Sequence, residues 1–443
     1  ERLKKRIFEG IFPYLAEGFI SYIRNKEGIS ELSQDELDKI FQGTLTFLYR
    51  LLFVLYAESR NLLPVRELRG YHSISLSAIK QEIAHVLGDI TFDSHNLLYR
   101  KVSFDSQSTS IYDRLQTLFR VIDTGDFAIN VPAYNGGLFM TSIFPDDDSQ
   151  EAENARFFIE NKTPDKFLAI GLDLLTRDED EKTFKRVFID YKSLGVRHLG
   201  SIYEGLLEFH LRIAPEKMAI CKGKKTEEII LYKEATKQKK NILRTGRGKN
   251  AVERVLSKGA VYLENTKHER KATGSYYTPD YIVKYIVANT VGPMLKDKFE
   301  KLTPKFREAQ IAYRDAVKRK EAFEKKGLKG DDPEKTAFTF KGLVDELFDI
   351  KVLDPAMGSG HFLVETVDFI TDKMIDFLNG FPWNPVMATL KETRETILKE
   401  MEKQNITIDE TRLNDLNLLK RHVLKRCIYG VDLNPMAVEL AKV

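Results

Sequence analysis

Val352-Leu353-Asp354-Pro355-Ala356-Met357-Gly358-Ser359-Gly360-His361-Phe362-Leu363-Val364 is the stretch on which the reading of this chain turns. Ile350 to Leu353 is a short apolar run fit for a buried parallel strand. It stops at an acid and a proline, and the Gly-x-Gly that follows opens a helix. Gly358 and Gly360 remove side chains where the backbone must bend sharply and approach a ligand. The N-terminus of the next helix offers free N–H groups and a partial positive charge. The pattern is that of a cofactor-binding turn.

It is not a dinucleotide fingerprint. A G-x-G-x-x-G match needs glycine at position 363, which is Leu363, and the chain has no G-x-x-x-x-G-K-[ST] phosphate loop. It has instead an acid four residues ahead of the first glycine. Asp354 can accept a hydrogen bond from a ligand ammonium while the glycine turn receives a carboxylate, and an amino acid moiety carries both groups. S-adenosylmethionine contains that moiety, and its ribose predicts a second acid at the end of the next strand. Cys427-Ile428-Tyr429-Gly430-Val431-Asp432-Leu433-Asn434-Pro435 supplies it. Asp432 is placed to bridge the two ribose hydroxyls, and Leu433 to pack on the adenine ring.

These residues carry a family resemblance. Asp354-Pro355-Ala356-Met357-Gly358-Ser359-Gly360 resembles the first motif of DNA adenine amino-methyltransferases, and Gly430-Val431-Asp432-Leu433-Asn434-Pro435-Met436-Ala437-Val438-Glu439-Leu440-Ala441 resembles the second. Upstream, Thr273-Gly274-Ser275-Tyr276-Tyr277-Thr278-Pro279 is similar to the motif that precedes the sheet in the same group and covers the methionine part of the cofactor. The chain looks most like single-chain restriction-modification enzymes of the type IIG kind. In weaker form the likeness extends to Phe47–Glu58 and Leu199–Glu208. The resemblance implies a helical connector followed by a methyltransferase domain, an endonuclease domain upstream, and methyl transfer from S-adenosylmethionine to adenine in double-stranded DNA. It also implies that Tyr277, Thr278, Pro279, Asp354, Pro355, Ala356, Gly358, Gly360, Phe362, Asp432 and Leu433 bind the cofactor.

One family feature is missing. The base-binding motif, Asn/Asp-Pro-Pro-aromatic, follows the second motif by several tens of residues in that group, whereas this chain ends at Val443. Asn384-Pro385-Val386-Met387 lies before the second motif and lacks the second proline and the aromatic, so it is set aside. With a start at Glu1, the expectation is an interior fragment that carries the cofactor side of the reaction, no catalytic residue, and no activity alone.

Composition bounds the rest. The length allows two or three domains, and 42% hydrophobic residues suffice for real cores. Cys221 and Cys427 are too few for a disulfide framework and lack metal-ligand spacing with the eight histidines, so no metal site is expected and a cytoplasmic protein fits. The longest apolar stretch, Leu45 to Tyr56, is interrupted by Arg50, and no signal peptide opens the chain. A net charge of +3 makes a whole-chain argument for nucleic acid weak.

Residues 1–215 read as a helical, connector-like domain. Ser33-Gln34-Asp35-Glu36 is a capping box that starts a helix to about Arg60, with Leu37, Ile40, Phe41, Leu45, Leu48, Leu51, Leu52 and Leu55 at helical spacing. A second helix is expected from Ser108 to Ile122, a turn in which glycine permits positive backbone angles at Tyr134-Asn135-Gly136-Gly137, and a further helix from Leu199 to Arg212. Pro145 to Lys185 carries a net charge of −6 and reads as a solvated acidic surface. Asp190-Tyr191-Lys192 has the acid-x-lysine of a magnesium nuclease without a preceding acid on a strand, so nuclease chemistry is set aside.

Residues 216–272 form a basic segment with short strands at Ile229–Tyr232 and Ala260–Leu263. Lys217 to Lys258 carries a net charge of +9, and Lys239, Lys240, Arg244, Arg247 and Lys249 suit contact with a DNA backbone. Residues 273–443 are expected to open a Rossmann-like class I S-adenosylmethionine-dependent methyltransferase sheet. An amphipathic helix runs from Asp280 to Leu295, and helical insertions follow at 301–341 and 380–425. Asp432 lies 78 positions after Asp354, against roughly 20 in a compact strand-helix-strand unit. The second insertion must therefore still let the two strands lie side by side. His361 and His422 read as packing or surface residues.

The fold expected is α/β, with a large helical N-terminal domain and an incomplete methyltransferase sheet. The function expected is part of a DNA N6-adenine methyltransferase of a restriction-modification system. The alternatives are a methyltransferase acting on RNA or protein, or a non-catalytic helical DNA-binding or assembly module.

Overall fold

The computed structural model describes residues 2–29, 31–88, 104–134, 136–180, 185–194, 198, 200, 202, 205, 206, 209–223, 227–245, 251–265, 278–330, 332–407 and 409–442. The chain divides into two compact units, Glu1–Tyr276 and Tyr277–Lys442.

The first unit begins as α1 (Arg2–Arg6), which passes through a π-helical turn at Ile7–Ile11 into α2 (Phe12–Glu27). Helix α3 (Gln34–Ser59) starts at the capping box read from the sequence. The Glu36 N–H donates to Ser33 Oγ at 3.3 Å and the Ser33 N–H to Glu36 Oε2 at 2.6 Å. By length and composition α3 could cross a membrane, contrary to the sequence reading. However, 83% of its apolar window is buried inside the unit, so it is a core helix. Around it lie α4 (Tyr71–Ile74), α5 (Leu76–Leu87), α6 (Ser110–Thr124), α7 (Gln150–Glu160) and α8 (Asp165–Thr176).

Aromatic rings fill the space between these helices. Phe47 stacks on Tyr112 at 5.8 Å and meets Phe19 and Phe119 edge-on at 5.7 and 5.8 Å. Arg50 sits among them, 1% exposed, with its guanidinium carbon 4.4 Å from the Phe158 ring centre. Its Nε donates to the Leu138 carbonyl at 2.6 Å and its Nη2 to the Met140 carbonyl at 3.1 Å. The residue that seemed to interrupt the apolar run thus ties the core to a distant loop.

Strands follow. β1 (Arg177–Glu179) pairs antiparallel with β2 (Arg186–Phe188). β3 (Phe209–Ile213), β4 (Met218–Lys222) and β5 (Glu227–Leu231) lead through α9 (Tyr232–Lys237) to β6 (Arg244–Thr245), β7 (Val252–Glu253), β8 (Val255–Leu256) and β9 (Val261–Asn265). β4 lies between β5 and β8, β3 pairs with β9, and β6 pairs with β7, all antiparallel. Two expectations are corrected here. The helix expected to reach Arg212 gives way to strand β3 at Phe209, because pairing with β9 overrides its helical spacing. The boundary drawn at residue 215 falls between two strands, β3 and β9, that pair with each other. Gly136 is extended at φ −153° and Gly137 opens a 3-10 turn, so neither glycine takes the positive angle open to it, and Asn135 lies outside the described residues.

The second unit opens with α10 (Asp280–Glu324), one helix of 45 residues that runs through Pro293 and Pro304. The expected end at Leu295 and separate insertion at 301 are therefore corrected. Then come α11 (Thr336–Thr339), α12 (Lys341–Phe348), β10 (Val352–Asp354), α13 (His361–Leu378), α14 (Pro385–Lys403), α15 (Asp415–Cys427), β11 (Ile428–Gly430) and α16 (Pro435–Lys442). Val283, Val287, Val291, Leu295 and Phe306 of α10 join Phe348, Ile370, Met374, Leu390 and Val423 in one core. Asn384 is buried and caps α14, accepting from the Met387 N–H at 3.2 Å and donating to the Phe381 carbonyl at 3.1 Å. Both of its side-chain polar atoms thus have partners within the turn that starts α14.

Candidate functional site

β10 and β11 lie side by side and parallel, with Val352, Leu353 and Asp354 opposite Ile428, Tyr429 and Gly430. The long crossover from 355 to 427 thus returns the chain to the neighbouring position, and Asp432 falls just beyond the strand partner of Asp354. Main-chain bonds extend the pairing past the strand ends. The Val431 N–H donates to the Asp354 carbonyl at 2.9 Å, and the Met357 N–H to the Val431 carbonyl at 3.0 Å.

The turn between β10 and α13 is built as its glycines require. Gly358 has φ +54° and Gly360 φ +85°, angles that residues with a Cβ adopt at a cost. A Cβ on Gly360 would also stand 3.2 Å from Ala441 Cβ of α16. Asp354 Oδ1 accepts from the Ala356 N–H at 3.0 Å, which folds Pro355 and Ala356 back over the strand end.

Asp432 binds the turn directly. Its Oδ2 accepts from the Gly358 N–H at 2.9 Å and its Oδ1 from the Asn434 N–H at 2.8 Å. Each carboxylate oxygen has a second lone pair, so both remain able to accept from hydroxyl groups. Leu433 beside it is fully exposed, at 102%. Phe362 instead packs partly buried against the core of the unit, and Ser359 is buried in the turn.

Of the upstream motif, Thr278 and Pro279 are described and Tyr277 lies outside the described residues. Pro279 precedes α10, and its carbonyl accepts from the Ile282 and Val283 N–H groups at 2.9 and 3.1 Å. Sequence reasoning missed what comes next: Asp280 Oδ1 lies 3.5 Å from His361 Nε2, at the start of α13. The available signal was position alone, since each residue immediately follows one of the quoted motifs.

This chain is similar to a restriction-modification protein. It is 27% identical over 175 residues to a protein of Methanocaldococcus jannaschii named as a candidate type II restriction enzyme and methyltransferase. The match covers 39% of this chain and 12% of that relative's length. No family model matches the chain, and no solved structure does.

Outside this turn, the basic segment is partly neutralised by its own fold. Lys240 Nζ is 2.7 Å from Glu228 Oε2, and Arg254 pairs with Glu227 at 2.7 Å. Lys239 and Arg244 are exposed, the former at φ +49°; Arg247 and Lys249 lie outside the described residues. Asp190 caps a 3-10 turn by accepting from the Lys192 N–H at 2.9 Å, and the buried Tyr191 hydroxyl donates to the Leu175 carbonyl at 2.5 Å. Among the described residues no group of three or more His, Cys, Asp or Glu side chains could hold a metal ion.

Proposed function

We propose that the second unit is the cofactor-binding part of a Rossmann-like S-adenosylmethionine-dependent methyltransferase, and that the intact protein methylates the exocyclic amino group of adenine in double-stranded DNA within a cytoplasmic restriction-modification system. The observation that carries this reading is the adjacency of β10 and β11, with Asp432 hydrogen-bonded to the glycine turn. Likeness to a relative named for both restriction and methylation supports it.

The residues fit the cofactor. Asp354 and the Gly358–Gly360 turn would hold its amino acid end, Asp432 its ribose hydroxyls, and Leu433 one face of its adenine, with Thr278 and Pro279 over the methionine. When bound, S-adenosylmethionine supplies an electrophilic methyl group on a sulfonium centre. The chain's own part is to fix that group's orientation, a contribution that accounts for much of the rate in such transfers. The substrate adenine must leave the base stack, because its amino group is otherwise paired and shielded. Exposed Lys239 and Arg244 are the candidate contacts to DNA phosphates, joined by Lys240, whose charge Glu228 shares.

Calorimetric titration with S-adenosylmethionine tests the cofactor assignment, with Asp432→Ala as the control. Saturable heat that the substitution removes supports it; no heat from the full-length protein, with Asp432→Ala indistinguishable, favours a non-catalytic module. Methyl transfer to adenine in duplex DNA, rather than to RNA or protein, is read with radiolabelled cofactor on the full-length protein.

A further inference from the structure

Two helices of the second unit begin at the same place. Helix α10 starts at Asp280, directly after Thr278 and Pro279, and α13 starts at His361, directly after the left-handed Gly360. Asp280 Oδ1 is 3.5 Å from His361 Nε2, and Asp280 Oδ2 is 3.1 Å from Lys284 Nζ one turn along α10. The His361 side chain is largely buried, 14% exposed. Below these first turns the two helices share one core through Val283, Val287, Val291 and Ile370, and a Cβ on Gly292 would meet the Phe369 ring at 3.5 Å. Glu365, one turn into α13, adds a carboxyl to this charged group, with Asp368 and Asp372 near enough to act on it. Burial raises its carboxyl, Lys284 lowers it, and Asp280 raises it further.

We propose that Asp280 and His361 are positioning residues that hold the Thr278-Pro279 segment against the Gly358–Gly360 turn, so that the two close on the amino acid end of the cofactor. The proposal rests on the cofactor reading given above. The two segments are far apart in the chain, and side-chain contact between the first residues of their helices fixes how each enters the site. The hydrophobic packing lower down sets the distance between the helices. It leaves rotation and sliding at their N-terminal ends to be fixed by polar contacts such as this one. Asp432 and Leu433 stand at the other end of the site, where the nucleoside is held. Loss of the pair is therefore felt by ligands with a methionine end and not by a bare nucleoside.

The test is titration calorimetry of the full-length parent, Asp280→Ala, His361→Asn, the double variant and Asp432→Ala, each against S-adenosylmethionine and against adenosine. Each single substitution is expected to weaken S-adenosylmethionine roughly three- to tenfold and leave adenosine unchanged. The double variant should be no weaker than the worse single one, since both remove one contact. Lys284→Met, which leaves the pair in place, should keep the parent's ratio of the two affinities. Should Asp280→Ala fail to fold, His361→Asn carries the measurement alone. Equal weakening toward both ligands, additive losses, or no loss overturns the pair's role while Asp432→Ala still abolishes binding. A parent that takes up neither ligand, or Asp432→Ala binding adenosine as the parent does, overturns the cofactor reading and this proposal with it.

Discussion

The carboxylate of Asp432 accepts a hydrogen bond from the main-chain N–H of Gly358 at 2.9 Å, joining the end of β11 to the turn after β10. Asp432→Asn keeps the size of the side chain but leaves one acceptor oxygen for two N–H donors, those of Gly358 and Asn434. Hydrogen bonds to a charged group contribute about 1.5–3 kcal/mol each. S-adenosylmethionine should bind roughly ten- to a hundredfold more weakly by calorimetry. Unchanged affinity would remove Asp432 from the site.

Gly430 lies opposite Asp354 across the two strands, where a side chain would meet its neighbours. A Cβ there would stand 2.1 Å from Met357 Sδ and 2.7 Å from Leu363 Cδ1. Gly430→Ala must shift the ends of the Met357 and Leu363 side chains away from β11. Gly430 is exposed and both side chains are flexible, so the expected cost in denaturant unfolding is about 1 kcal/mol, at the low end for overpacking. A midpoint equal to the parent's would show that Met357 moves freely.

Arg50 is a buried cation held by carbonyl groups and rings. Burial pushes its pKa down to about 10, so it stays charged at neutral pH. A lysine ammonium is a single point of charge and cannot span the Leu138 and Met140 carbonyls as the guanidinium does. Arg50→Lys should cost about 2–3 kcal/mol, since buried groups lose their partners. Calorimetric melting should then show the first unit unfolding roughly 4–12 °C lower.

His422 makes the second unit sensitive to acid. Its pKa is depressed from 6.5, first by burial and then by the positive charges of Arg426, Arg421 and Lys425. Neutral His422 pairs with Thr393 Oγ1 at 3.1 Å and lies against the Phe348 ring. Between the depressed value and 6.5 the unfolded chain takes up a proton that the folded unit does not. The stabilisation is therefore complete above pH 6.5 and lost as the pH falls through the folded value. Unfolding midpoints from pH 7.5 down to 5 should fall less steeply for His422→Gln than for the parent. Parallel curves would contradict this assignment.

Much of the site was legible because its signals are local. A strand that ends in an acid, a Gly-x-Gly and a helix start occupy one short stretch from Ile350 to Val364, and the same holds around Asp432. Likewise the Ser33 and Glu36 capping box reads within four residues. What failed was non-local. Phe209 to Ile213 continues the helical spacing of Ile202 and Leu206, yet its strand partner is β9, about fifty residues later. Pro293 and Pro304 favour a helix break, but Leu302 and Phe306 are buried in the same core as Val287 and hold α10 in one piece. The Asp280 and His361 contact depends on both helices being in place, so neither residue announces it.

The crossover from 355 to 427 also bears on how the protein comes to its final form. Strands β10 and β11 are joined through α13, α14 and α15, and closing so long a loop carries an entropic cost that the packing of those helices offsets. Anything that lengthens or loosens that crossover therefore raises the cost of bringing Asp432 to the glycine turn, with every residue of the turn itself unchanged.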